Sequence, residues 1–263
     1  MRMAMAVKDK RFQYILKKLS VSGFADIREL SERLNVSEMT IRRDLGELSQ
    51  NNLIKLIHGG AILQRDESFE KEQDRYLIEK AGSLKIQEKI KICQKAASLI
   101  NRDDIIIIDT GTTTEYIPNY IPKNLPISVV CYTLNILFKV YENEKWKLIF
   151  PGGHFHRNTL MFESEEGNKM IQRMRANKAF ISAAGVSDRL GVTCATLYEK
   201  ETKKSVIESS DKKILLVDSS KFGKIEISHF ANLPDFDVII TDKNISKKCA
   251  ERIKELNIEL YIV

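Results

Sequence analysis

Over the first 63 positions the apolar residues return every three or four places, whereas beyond position 100 they gather into short β-branched runs. Phe12, Ile15, Leu16 and Leu19 fall on one stripe and predict a helix over residues 8–19. Ser22-Gly23 breaks it. Asp26 then has the side chain of an N-cap, with Glu29 three residues on as its capping-box partner. Ile27, Leu30 and Leu34 give the buried face of a short second helix. Asn35-Val36 makes a tight turn, and Ser37 caps a third helix running to Gln50. At about 100° per residue, Ile41, Leu45 and Leu48 face inward on that helix. Arg43 lies opposite, with Met39, Thr40 and Glu47 beside it and Arg42 flanking the arc. After Asn51-Asn52, residues 53–62 read as two short strands around a turn at His58-Gly59-Gly60.

Farther on, apolar runs alternate with helical stretches. Strands are predicted at residues 104–108, 127–131, 147–150, 179–183, 214–217, 238–240 and 258–262. Helices are predicted at residues 85–100, 113–120, 134–142, 165–174, 199–209 and 246–256. Continuous β-branched runs joined by helical crossovers imply a parallel sheet covered on both faces. Ligands of such sheets sit beyond the carboxyl ends of the strands. The expected architecture is therefore α/β: a small helical head at residues 1–63, a linker at 64–82 and a larger α/β domain at 83–263. Gln64–Gly82 is dense in charge and is either an exposed connector or a helix that pairs subunits.

Charge sharpens the reading of the head. The formal net charge is +6, and residues 1–63 carry 11 Lys/Arg against 7 Asp/Glu. A basic head on a near-neutral body suits contact with nucleic acid. Ser37, Met39, Thr40, Arg42 and Arg43 would face double-stranded DNA from the third helix, its N-terminal residues leading, and Lys55 and His58 would touch phosphates from the strand pair. No run approaches about 18 apolar residues, and the stretch before Lys8 is too short for a secretory core, so a cytoplasmic location is expected. The four cysteines, at 93, 131, 194 and 249, contain no CxxC pair and read as reduced, mostly buried thiols.

The strand ends carry the remaining chemistry. Asp109-Thr110-Gly111-Thr112-Thr113-Thr114 follows a strand and opens a helix. Free N–H groups and hydroxyls there suit a phosphate, and Asp109 would accept from sugar hydroxyls. Cys131, Tyr132, Thr133 and Asn135 follow the second strand, Gly152 and Gly153 the third, and Asp218 and Lys221 a later one. Glu199 and Lys203 lie one turn apart on a helix, either as an exposed pair or as a buried lysine needing a carboxylate or a bound anion. His154-x-His156 lacks a third ligand at suitable spacing, so no metal or cofactor is expected. Met161, Met170 and Met174 read as core filler.

The run Val36-Ser37-Glu38-Met39-Thr40-Ile41-Arg42-Arg43-Asp44-Leu45, followed by His58-Gly59-Gly60-Ala61, resembles the DNA-binding signature of the DeoR family. Asp109–Thr114, Gly152-Gly153, Lys178-Ala179-Phe180, Glu199–Lys204 and Asp218–Gly223 resemble that family's effector domain. The resemblance implies a winged helix-turn-helix followed by a domain with a fold like those of ribose-5-phosphate isomerase and glucosamine-6-phosphate deaminase. It also implies a homo-oligomeric repressor relieved by a sugar phosphate. Cys131-Tyr132-Thr133, Glu163 and Asn177 depart from the broad family pattern. Val130–Asn135, Gly152–His156, Ser182–Val186 and Val192–Cys194 are similar to the branch answering to deoxyribose 5-phosphate, which implies control of deoxyribose and deoxynucleoside catabolism. A polar loop residue aimed at a hydroxyl absent from a 2-deoxy sugar would stay unpaired, at roughly 1–3 kcal/mol; Tyr132 or Cys131 would remove that cost.

Two other readings compete. An isomerase or deaminase would need a placed carboxylate base, for which Asp109 or Glu199 qualifies, but no complete catalytic set is visible. A DNA-binding protein using its second domain only for assembly would not need Gly, Thr, Asp and Lys clustered at strand ends.

Overall fold

The computed structural model describes residues 8, 11–19, 24–50, 54–57, 59–63 and 85–263. His58 and the linker at 64–82 lie outside them. The chain divides into two compact units, residues 1–73 and 74–263.

In the first unit, α1 (residues 11–19) is followed by β1 (Phe24–Asp26), α2 (Ile27–Leu34), α3 (Glu38–Gln50), β2 (Ile54–Ile57) and β3 (Gly60–Leu63). Ile15, Leu19, Leu30, Ile41, Leu45 and Ile54 meet in one core. Asp26 caps α2 as expected, its Oδ1 accepting from Arg28 N at 2.8 Å and Glu29 N at 3.1 Å. Glu29 pairs instead with Lys18 of α1, at 2.6 Å. Asn35 takes the left-handed conformation, φ 50°, that the turn requires. The Arg11 guanidinium forks onto the buried Asp44 carboxylate at 2.7 and 3.2 Å and fastens α1 to α3. β1 has no counterpart in the sequence pattern, because three residues cannot display a two-residue period. It pairs antiparallel with β3, giving the order β1-β3-β2. Gly60 permits that pairing, since a Cβ there would collide with the Ala25 carbonyl.

The second unit is built on seven strands: β4 (Ile105–Ile108), β5 (Ile127–Cys131), β6 (Trp146–Ile149), β9 (Ala176–Ser182), β12 (Ser210–Leu216), β14 (Val238–Thr241) and β15 (Glu259–Ile262). Their order is β15-β14-β12-β9-β4-β5-β6, and every pairing is parallel. Successive side chains point to opposite faces, so Ile106, Ile108, Val129 and Cys131 enter one core layer, and Ile107, Val130 and Tyr132 the other. The helices are α4 (Ile86–Ala97), α5 (Leu134–Tyr141), α6 (Glu165–Arg173), α7 (Glu199–Glu208) and α8 (Lys247–Glu255). The helix expected at 113–120 is a tight 3-10 segment, Thr114–Asn119, with Pro118 inside it. Proline supplies no N–H and crowds the preceding turn, which stops an α-helix from propagating.

A hairpin of β7 (His154–His156) and β8 (Met161–Glu163) and a three-stranded sheet of β10 (Gly185–Ser187), β11 (Gly191–Cys194) and β13 (Ser228–Ala231) complete the unit. Met161 is core and Met174 packs against it, but Met170 is 40% exposed on α6, contrary to its expected role as filler. No helix among the described residues is long and apolar enough to cross a membrane.

Candidate functional site

The strand order places β4 between β5-β6 on one side and β9-β12-β14-β15 on the other. The order therefore reverses between β4 and β5 on one flank and β4 and β9 on the other, the switch at which parallel sheets open a crevice. A pocket lies beyond these carboxyl ends. Thr110, Gly111, Thr112 and Thr113 line it after β4, Ser182, Ala183 and Ala184 after β9, and Val217 and Lys221 after β12. Glu199 and Lys203 enter from α7, Cys194 and Ala195 from the end of β11, and Thr159 from the hairpin loop. Gly111 must lack a side chain, because a Cβ would collide with Ser182 Oγ.

Along and beneath the pocket wall runs a largely buried polar network. Asp109 Oδ1 accepts from the Tyr132 hydroxyl. Its Oδ2 accepts from Ser182 N at 2.9 Å and Lys203 Nζ at 2.5 Å. Lys203 also donates to the Ser182 carbonyl at 3.1 Å and stands 3.8 Å from Glu199 Oε2. Glu199 Oε1 accepts from Thr196 Oγ1 at 2.7 Å. Burial opposes the Lys203 charge, but Asp109 and Glu199 outweigh it and hold its pKa above the ordinary value. Burial pushes the Glu199 carboxyl up, against the pull of Lys203. Burial, then the Asp109 charge, keeps the Tyr132 phenol protonated.

This arrangement joins Gly111, Thr112, Thr113, Glu199, Lys203 and Lys221 in one pocket wall. Asp109 stands behind the wall as its anchor rather than in it. Thr114 is fully buried, its hydroxyl donating to the Asp109 carbonyl at 2.7 Å. Tyr132 does not reach the ligand space: alternation along β5 turns it into one core layer and Cys131 into the other. Thr133 is buried at the start of α5, and Asn135 Nδ2 donates to Glu115 at 2.7 Å. Gly152 and Gly153, at φ 74° and 131°, shape the chain before β7 and do not line the pocket. Asp218 caps the short turn at Ser219–Lys221, accepting from Ser220 N at 2.9 Å. Glu199 and Lys203 are 6% and 1% exposed, which rejects the solvated-pair reading. His156 stacks on Tyr198 with centroids 3.6 Å apart. No group of three His, Cys, Asp or Glu is placed to hold a metal among the described residues.

Thr159 and Ala195 are pocket residues that the motifs do not reveal. Ser182 and Cys194 fall in stretches similar to the family, but no pocket role follows until β9 is seen to lie beside β4 and β11 to end at the pocket.

In the first unit, Met39 is 71% exposed at the start of α3, and Arg42 and Arg43 are exposed. Arg42 and Arg28 both approach Glu38, at 3.7 and 3.6 Å. Ser37 and Thr40 share a hydroxyl contact of 3.0 Å, and Ser37 Oγ accepts from Thr40 N at 3.2 Å. Lys55 is exposed on β2.

These are the parts of a ligand-sensing transcription regulator: a helix-turn-helix with a basic outward face, and an α/β domain with a polar pocket. Residues 11–67 match the DeoR-like helix-turn-helix domain and residues 84–243 the DeoR C terminal sensor domain, and the chain belongs to the DeoR family of transcriptional repressors. It is 31% identical to the deoxyribose operon repressor of Escherichia coli over 235 residues, 89% of this chain and 90% of that one. It is 33% identical to the lactose phosphotransferase system repressor of Streptococcus mutans over 236 residues, 89% of this chain and 92% of that one. Among solved structures, ribose 5-phosphate isomerase A from Neisseria gonorrhoeae aligns with a TM-score of 0.39 at 15% identity, covering 52% of this chain and 53% of the isomerase. The chain thus spans about half the length of that structure.

Proposed function

We propose that this repressor binds double-stranded operator DNA as a homodimer or larger assembly and is relieved by a sugar phosphate held in the pocket beyond β4, β9 and β12. The observation that carries this reading is the pocket's chemistry. Thr110, Thr112 and Thr113 surround Gly111, and Lys203 and Lys221 share the lining. Hydroxyls and free backbone N–H groups at a glycine turn suit phosphate oxygens, lysine supplies the countercharge, and Glu199 accepts from sugar hydroxyls.

The effector we favour is deoxyribose 5-phosphate, with deoxyribose and deoxynucleoside catabolic genes as targets. Ala183, Ala184, Ala195 and Val217 give part of the lining no side-chain hydrogen-bonding group. A 2-deoxy carbon loses nothing against such a wall, whereas an unpaired hydroxyl there costs about 1–3 kcal/mol. This places discrimination in the alanine wall and gives Tyr132 the role of fixing Asp109. The second reading, another sugar operon with a different sugar phosphate, draws on the comparable identity to the lactose system repressor. Catalysis is not part of the proposal: Asp109 is consumed by Tyr132, Ser182 and Lys203, and Glu199 is tied to Thr196 and Lys203.

Thermal unfolding of the full chain against a panel of pentose and deoxypentose phosphates tests this, since a ligand of the folded state raises stability with its concentration over Kd. Deoxyribose 5-phosphate should raise Tm most. A larger rise with another member transfers the protein to that sugar's operon. Indifference to the whole panel overturns the sensor reading.

A further inference from the structure

Two residues on the outward face of α3 have no explanation inside the folded unit. With Ile41, Leu45 and Leu48 buried, the opposite side of the helix is the row Met39, Arg43, Gly46 and Gln50, spaced by four, three and four. Met39 leaves 71% of its surface in water at the start of this row. Its polar neighbours are already engaged: Glu38 with Arg28 and Arg42, and Ser37 with Thr40. Gly46 sits in the middle of the helix, where glycine weakens it relative to alanine. Its φ is not positive, so the backbone does not demand it. A Cβ at Gly46 would meet nothing within 4 Å, so internal packing does not demand it either. The remaining reason for an absent side chain there is the close approach of something outside the unit.

We infer that α3 reads a thymine through its 5-methyl group with Met39, and that Gly46 lets the wall of the major groove come against the helix one to two turns later. A thioether side chain offers phosphate neither charge nor a donor. In the major groove the apolar feature of a base edge is the thymine methyl. An apolar side chain held in water at the leading end of the recognition helix gains by covering that methyl. Arg43, one turn on, supplies the neighbouring polar contact.

The inference rests on α3 being the helix that enters the groove, and the test separates the two. Duplexes are selected from a random pool with the wild-type full chain, and each thymine of the winning duplex is replaced singly by uracil, which removes only the methyl. One thymine per half-site should lose about fourfold in affinity, the worth of one buried methyl-sized group. Met39→Ala should bind thymine and uracil duplexes equally at that position, and Met39→Leu should restore the preference. If no thymine-to-uracil change affects the wild type, or if Met39→Ala keeps the wild-type ratio, Met39 does not read a methyl. If Arg43→Ala also binds the selected duplex as tightly as wild type, α3 is not the reading helix.

Discussion

Tyr132, Ser182 and Lys203 come from the end of β5, the end of β9 and the middle of α7, and all three donate to the Asp109 carboxylate. A buried carboxylate stripped of one such donor keeps its desolvation cost without the compensating bond. Tyr132→Phe should therefore lower stability by about 1–3 kcal/mol in urea unfolding. Lys203→Met should cost more, about 3–5 kcal/mol, because it leaves a buried charge without its countercharge. Replacing Asp109 with Asn in that background should recover part of the loss, so the two changes are strongly non-additive; strict additivity would mean the pair is not coupled. A second buried lysine makes a pH prediction. Lys89 is 1% exposed, and burial lowers its pKa from 10.5 to about 8, against the attraction of Asp218. The folded chain thus sheds this proton before the unfolded chain does. Stability should rise as pH climbs from about 8 to 10.5, with the penalty of the buried charge fully present below that window. Lys89→Met should abolish that rise relative to wild type in pH-dependent unfolding; an unchanged rise would assign it to other groups. At this scale the sequence revealed which residue types collect at strand ends, but not their order in depth. Asp109 and Lys221 look equivalent in a string of letters, and only the sheet order β12-β9-β4 puts the first behind the pocket wall and the second in it.

Among the elements, the role proposed for α3 sets function against local stability. Gly46→Ala should stabilise the N-terminal unit by about 1 kcal/mol, the difference in helix propensity, since the added methyl meets no neighbour. The same change should weaken affinity for the selected duplex, read by titration beside the unfolding curve. Gain in both would mean that nothing approaches α3 at Gly46. The boundaries of α2 and α3 were legible because caps and apolar periods agree there: Asp26 caps α2, and Ser37 Oγ accepts from Thr40 N at the start of α3. The hairpin β7–β8 and the sheet β10-β11-β13 were not legible. Their strands are three or four residues long and owe their existence to tertiary partners, as where Gly153 lets the chain pass against the Glu163 carbonyl. The 3-10 segment at Thr114–Asn119 was read as an α-helix because its apolar spacing fits both, and Pro118 decides between them.

For the whole molecule, the proposed function requires a free-energy coupling between the pocket in residues 74–263 and α3 in residues 1–73. An effector can shift DNA affinity only by as much as its own affinity differs between the DNA-competent and incompetent states. The coupling is reciprocal: if a saturating sugar phosphate weakens duplex binding by some factor, saturating duplex must weaken sugar phosphate binding by the same factor. The sensing parts make this measurable in one protein. Calorimetric titration of the effector into the full chain, alone and with the selected duplex, gives one ratio; duplex titration with and without effector gives the other. The ratios should agree, and a typical coupling of 1–3 kcal/mol would set both at about 5–150-fold. Lys221→Met should reduce effector binding while leaving duplex affinity in the absence of effector unchanged, because Lys221 lines the pocket and α3 belongs to the other unit. Unequal ratios at constant protein concentration would reveal a further linked equilibrium, and self-association is the natural one under the proposed reading of paired half-sites. Repeating both titrations at a tenfold lower protein concentration separates the cases: ratios set by one chain's conformations stay fixed, whereas ratios set by assembly move with concentration.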